Sequence, residues 1–112
     1  MNWIMIGAIL GFVSVAAGAF GAHALKAILT ADRLEIFETA VRYQMYHSLA
    51  ILVAGLLGAS QAAWSFFLGI LVFSGSLYLL VLTDRRWFGA VTPIGGVLFL
   101  VGWVLLAVAS RR

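Results

Sequence analysis

The chain has 112 residues, 64% of them hydrophobic and 10% charged, whereas an ordinary soluble domain carries roughly 25% charged residues. So few charges would leave a soluble surface bare, so the expectation is one membrane domain over 1–112, with length for about four spans of about 20 residues each. The net charge of +3 comes without a clustered basic face, which argues against nucleic-acid binding, and the absence of cysteine excludes disulfides, thiolate metal sites and thiol nucleophiles.

The predicted fold is all-α: four antiparallel transmembrane helices with an amphipathic interfacial helix between the first and second. The first span covers 3–25 and carries no formal charge. Ala22-His23-Ala24 supplies an A-x-A pattern, but no basic residue precedes the apolar run. The run is also longer than the roughly 7–15 residues of a signal core, so it reads as a retained span. Gly7, Gly11, Ser14, Gly18 and Ala22 fall on one stripe at helical spacing. Small residues let backbones approach closely in lipid, so this stripe is expected to pack on another helix.

The amphipathic segment covers 30–42. Thr30 is its expected N-cap, with Asp32 and Glu35 near the positive end of the helix dipole. Leu34, Phe37, Val41 and Met45 form an apolar stripe, and Glu35, Glu38, Arg42 and Tyr46 the opposite face. Glu38 and Arg42 are spaced for an i,i+4 ion pair.

The second span covers 43–59. Tyr43, Gln44, Tyr46 and His47 are read as a wet, aromatic entrance at headgroup level. Ser60-Gln61 is an expected uncharged turn. The third span covers 63–83, and its Ser74 and Ser76 are expected to bond back to their own helix. The fourth covers 93–110, with Thr92 as N-cap and Pro93 as first helical residue, or else a start near Gly89 and a kink at Pro93. Arg111 and Arg112 are expected to snorkel to headgroups. Lys26, Arg33, Arg42, Arg85 and Arg86 fall on one side of this topology, which predicts the cell (inner) membrane with both termini outside.

Chemistry is sparse. A proton-coupled exporter needs an ionisable group inside the bilayer, yet Asp32, Glu35, Glu38 and Asp84 all fall in predicted connections. No nucleophile lies beside a base in usable geometry, no phosphate loop or metalloprotease motif occurs, and no cofactor is implied. No catalytic residue is assigned, and the expectation is not an enzyme. What remains is a candidate cluster of His23, Glu35, Glu38, Arg42, Tyr43 and His47. A metal site would need about three or four such ligands brought together by the fold. The alternative is that each histidine is satisfied locally at the interface. Expected partners are membrane lipids, a homo-oligomer or another membrane protein.

GAFGAHALK (Gly18 to Lys26), FETAVRYQMYHSLA (Phe37 to Ala50), SGSLYLL (Ser74 to Leu80) and TPIGG (Thr92 to Gly96) together resemble one family over nearly the whole chain. It comprises the small bacterial membrane proteins of domain of unknown function 423, also called uncharacterised protein family 0382. Eukaryotic transmembrane protein 256 is similar. The resemblance implies a multi-pass bacterial membrane protein of about four helices. His23, Glu38, Arg42, Tyr43 and His47 match motif positions, but the resemblance gives them no role. A non-enzymatic membrane component is therefore expected. The alternative is a small transporter, channel subunit or metal-linked protein using His23, His47 and Glu35 or Glu38.

Overall fold

The computed structural model describes residues 1–111. Arg112, expected to snorkel, lies outside the described residues. All regular structure among the described residues is helical: α1 (Trp3–Ala16), a π-helical turn (Ala17–Gly21), α2 (Ala22–Leu25), α3 (Ala31–Leu56), α4 (Ser60–Thr83), a 3₁₀ turn (Arg86–Ala90) and α5 (Thr92–Ala109). Trp3–Leu25, Ser60–Thr83 and Arg86–Ala109 are long and apolar enough to cross a membrane. The first of these joins α1 to α2 through the π turn, whose widened register falls in the run AGAFG, small residues apart from Phe20.

The amphipathic segment and the second span are not two elements. They are one unbroken helix, α3, of 26 residues, about 39 Å long at 1.5 Å per residue. No glycine or proline lies between Ala31 and Ala54 to break it. Phe37, Val41, Gln44, Ser48 and Ile51 are all buried, so the inward stripe keeps helical spacing across the expected break. Tyr43, Gln44, Tyr46 and His47 thus occupy the middle of a long helix, not its first turn.

Thr30 caps α3, its hydroxyl accepting the Arg33 N–H at 3.2 Å. Leu56 ends it, followed by Gly58 at φ +70, where a side chain would strain the turn. The next helix already includes Ser60 and Gln61, so the turn lies earlier than expected. Thr92 is likewise inside α5, with Val91 at the cap position. The Thr92 hydroxyl is committed elsewhere, 2.6 Å from Ser76 Oγ.

Each helix packs chiefly on its neighbours in sequence. Close approach depends on glycines. A Cβ on Gly7 would meet Leu52 at 2.8 Å, and one on Gly18 would meet Val41 at 3.2 Å. Gly11 has open space, while Ser14 is buried and Ala22 packs with Phe37, Val41 and Val81. Between α4 and α5 the fit is reciprocal: Phe99 lies over Gly69 and Phe66 over Gly102. One core gathers Trp3, Ile51, Phe66, Ile70 and Phe99, and a smaller one Phe37, Val41 and Val81.

Candidate functional site

α3 carries most of the expected cluster, and its helical twist turns those residues to different surfaces. His47 is buried and points toward α4 and α5. Its ring stacks on Phe99 with centroids 3.6 Å apart and planes 5° from parallel. Its Nδ1 lies 2.7 Å from the Tyr43 carbonyl, and its Nε2 accepts from Trp103 Nε1 at 3.1 Å. A carbonyl only accepts and an indole N–H only donates, so the geometry specifies the neutral Nδ1–H tautomer. Both nitrogens are occupied. His47 cannot ligate a metal or take a proton at Nε2 without losing the Trp103 bond.

The other members lie elsewhere. Glu38 and Arg42 flank a surface dent with Gly18 and Val41. Glu35 lines a different one with Asp32 and Thr39. His23 is exposed on α2. Gly21 opposes Phe37, which sets His23 near the level of Glu35 and about 18 Å along the helix from His47. The convergence of His23, His47 and a glutamate does not occur. Among the described residues no group of three His, Asp or Glu side chains is placed to hold a metal ion. The Glu38–Arg42 ion pair is also not made. Arg42 Nη2 instead reaches Thr39 Oγ1 at 3.4 Å.

Tyr43 and His47 do share a surface. They line an aromatic groove of about 410 Å³ with Tyr46, Phe73, Phe99, Leu100 and Trp103. Its single buried polar side chain is His47, already bonded at both nitrogens; the other polar groups on its lining are the exposed phenols Tyr43 and Tyr46.

The polar chemistry that does converge was not among the expected residues. Gln44 is 3% exposed and bridges three helices. Its Nε2 donates to the Leu10 carbonyl at 3.0 Å, and its Oε1 accepts from Tyr78 Oη at 2.7 Å. Ser14 also donates to Leu10 O, at 2.8 Å, and Ser48 to Gln44 O, at 2.6 Å. Ser74 crosses to α3, donating to Ala40 O at 2.8 Å, not to its own helix as expected. Ser76 does bond back, to Phe73 O at 2.9 Å. Every partner of Gln44 is a hydrogen-bonding group within the fold, and in hydrocarbon an unpaired amide would be costly. The signal for Gln44 was present: it shares the helical face of Phe37, Val41 and Ser48.

A second assembly closes the end of the bundle bearing the first and third connections. Arg33 Nη2 donates to the Val81 carbonyl, and its Nε lies 3.8 Å from Asp84 Oδ1. Arg86 bonds Asp32 at 2.8 Å and approaches Asp84 at 3.7 Å. Val81 lies in the last turn of α4, where carbonyls lack in-helix donors. Asp84 is left-handed at φ 56 and terminates that helix. These charges clasp the start of α3 to the end of α4.

Comparison with known proteins agrees with a chain of apolar, membrane-type helices. A family model described as a protein of unknown function (DUF423) matches residues 17–96. UPF0382 membrane protein SERP0230 of Staphylococcus epidermidis is 47% identical, with 98% of this chain and 95% of that protein covered. UPF0382 membrane protein SH2409 of Staphylococcus haemolyticus is 44% identical over 98% and 95%. UPF0382 membrane protein YwdK of Bacillus subtilis is 40% identical over 98% and 96%. No solved structure matches the chain significantly. With its apolar helices and this similarity along nearly its whole length, the chain belongs to the DUF423 (UPF0382) family of membrane proteins.

Proposed function

We propose that the protein is a non-enzymatic, four-span component of the bacterial cell membrane that acts through contact with lipid, with itself or with a partner protein. The observation that carries this reading is His47, whose two nitrogens are consumed by the Tyr43 carbonyl and the Trp103 indole, while Glu35, Glu38 and Arg42 face other surfaces. Transport and catalysis need a polar group free to exchange a ligand or proton, and the bundle interior offers hydrogen bonds that are already closed. The fourth crossing is α3. Its 26 residues are enough to span about 30 Å of hydrocarbon, and of its polar residues Gln44, His47 and Ser48 are buried against neighbouring helices, while Glu35, Glu38 and Arg42 lie on its exposed face. The excess of Lys and Arg in the first and third connections orients both termini outside.

The test uses purified wild type beside the His23→Ala, His47→Ala double variant. Metal content and proton-driven cation flux in proteoliposomes are expected to be at background in both. Stoichiometric metal or flux in wild type that the double variant loses would overturn the reading in favour of a metal-linked or transport role.

A further inference from the structure

The outward face of α3 carries charges that nothing in the fold answers. Glu35, Glu38, Arg42, Tyr46, Leu49 and Val53 are all exposed. At about 100° per residue they fall within an arc of about 60–80°. Ile51 and Gln44, on the opposite side, are 0% and 3% exposed. Leu49 and Val53 are ordinary lipid-facing residues. The other half of the stripe is not: it holds two carboxylates and a guanidinium.

Depth makes this informative. Val41 lies against Gly18, and Ala40 O takes the Ser74 hydroxyl. Both neighbours lie well inside the helices Trp3–Leu25 and Ser60–Thr83, so Arg42 sits roughly 12 Å from the end of the bundle. The ion pairs of the described residues involve Arg33, Arg86, Asp32 and Asp84, and leave out Glu35, Glu38 and Arg42. Arg42 reaches only Thr39 Oγ1. Charged groups at membrane depth are expected to find partners or polar surroundings.

We propose that this face is a parallel, two-fold interface between two copies of the chain, in which Glu38 of each copy pairs with Arg42 of the other. The proposal rests on α3 crossing the membrane. The stripe is self-complementary, as a two-fold interface requires. Acid and base stand one helical turn apart, so an axis along the membrane normal forms both pairs at once, across an axial offset of about 6 Å that an arginine side chain bridges. Glu35, Arg42 and Leu49 recur every seven residues, with Glu38, Tyr46 and Val53 three or four positions on. That is the spacing of a seam between two helices crossing at a shallow left-handed angle. An anionic headgroup would satisfy Arg42 but repel both glutamates. A second copy satisfies both signs.

The chain has no cysteine, so single cysteines report cleanly. In native membranes, full-length Leu49→Cys is expected to form a disulfide-linked dimer on oxidation, and Val104→Cys, exposed on α5, to remain monomeric. In nanodiscs, Glu38→Lys or Arg42→Glu should each lower the dimer fraction about tenfold, and the swap Glu38→Arg with Arg42→Glu should restore it to within about twofold. Helix content by circular dichroism checks that each variant is folded. A swap as monomeric as the single variants, or cross-linking of Leu49→Cys only to another protein, overturns the interface. An impermeant thiol reagent applied to Lys26→Cys and Gln61→Cys separates the premises. Labelling from opposite sides without a dimer defeats the interface alone; labelling from the same side defeats the membrane-crossing of α3 and the interface with it.

Discussion

A Cβ on Gly95 would lie 2.4 Å from the backbone nitrogen of Phe73 and 2.7 Å from its Cα. A backbone cannot rotate aside as a ring can, so Gly95→Ala must push α4 and α5 apart. It is expected to cost about 1–3 kcal/mol, the range for overpacking. Gly11→Ala meets nothing within 4 Å and should be neutral or slightly stabilising, since alanine is the better helix former. Thermal unfolding in detergent micelles compares the two, and a Gly95→Ala protein melting with wild type would refute the close approach. Gln44 offers a different kind of test. Gln44→Leu strands the Tyr78 hydroxyl, so a loss of about 1–2 kcal/mol is expected, with part of it recovered in the Gln44→Leu, Tyr78→Phe double variant. Strict additivity of the two single losses would mean that the bond contributes nothing. The small-residue stripe Gly7 to Ala22 was legible in the sequence because spacing defines a face. Which glycine meets a side chain was not legible, because that depends on the partner helix at each level.

Helix ends reveal what local reasoning reached and where it stopped. Thr30 is the cap of α3 because a hydroxyl before an acidic first turn is a local signal. The unity of α3 could also be read, from the absence of any breaker before Gly55. The apparent polarity of Tyr43, Gln44 and His47 hid it, because a polar residue reads as exposed until its partners on other helices are known. For the same reason the sequence points to His47 and not to Gln44 and Tyr78. The Arg33 contact with Val81 joins segments far apart in sequence and had no sequence signature. It gives a ranking between two arginines that look alike. Arg33 is 21% exposed and bonds a helix-terminal carbonyl, whereas Arg86 and Asp32 are 57% and 65% exposed. Arg33→Ala should therefore cost about 1.5–3 kcal/mol, as for a partly buried bond from a charged donor. Arg86→Ala should cost at most about 1 kcal/mol, as for a screened surface pair. Chemical denaturation of the two variants side by side checks the order, and the reverse order would place the clasp at Arg86.

At the scale of the whole molecule, the fold divides into two helical hairpins. One contains α1 to α3 and is held by Gly7 against Leu52 and by Gln44 on Leu10 O. The other contains α4 and α5 and is held by the glycine–phenylalanine contacts and by Ser65 on Leu98 O at 2.6 Å. Between them lies an exposed connection around Leu57 and Gly58. Bonds that cross the division are spread along its length, among them Arg33 to Val81, Arg86 to Asp32, Ser74 to Ala40, Tyr78 to Gln44 and Trp103 to His47. Membrane helices insert individually and then associate through packing and such bonds, so the covalent connection is not what holds the hairpins in register. A chain divided after Gly58 and produced as two co-expressed fragments is expected to reassemble, with a tag on one half recovering the other from detergent. Combining Gln44→Leu with Ser74→Ala in the divided chain removes two of the crossing bonds. Recovery should then fall severalfold, while the undivided double variant stays folded because its halves remain tethered at high effective concentration. Fragments that never co-purify would show that the hairpins depend on the connection itself. Undiminished recovery in the double variant would show that packing alone, without the buried polar bonds, brings the halves together.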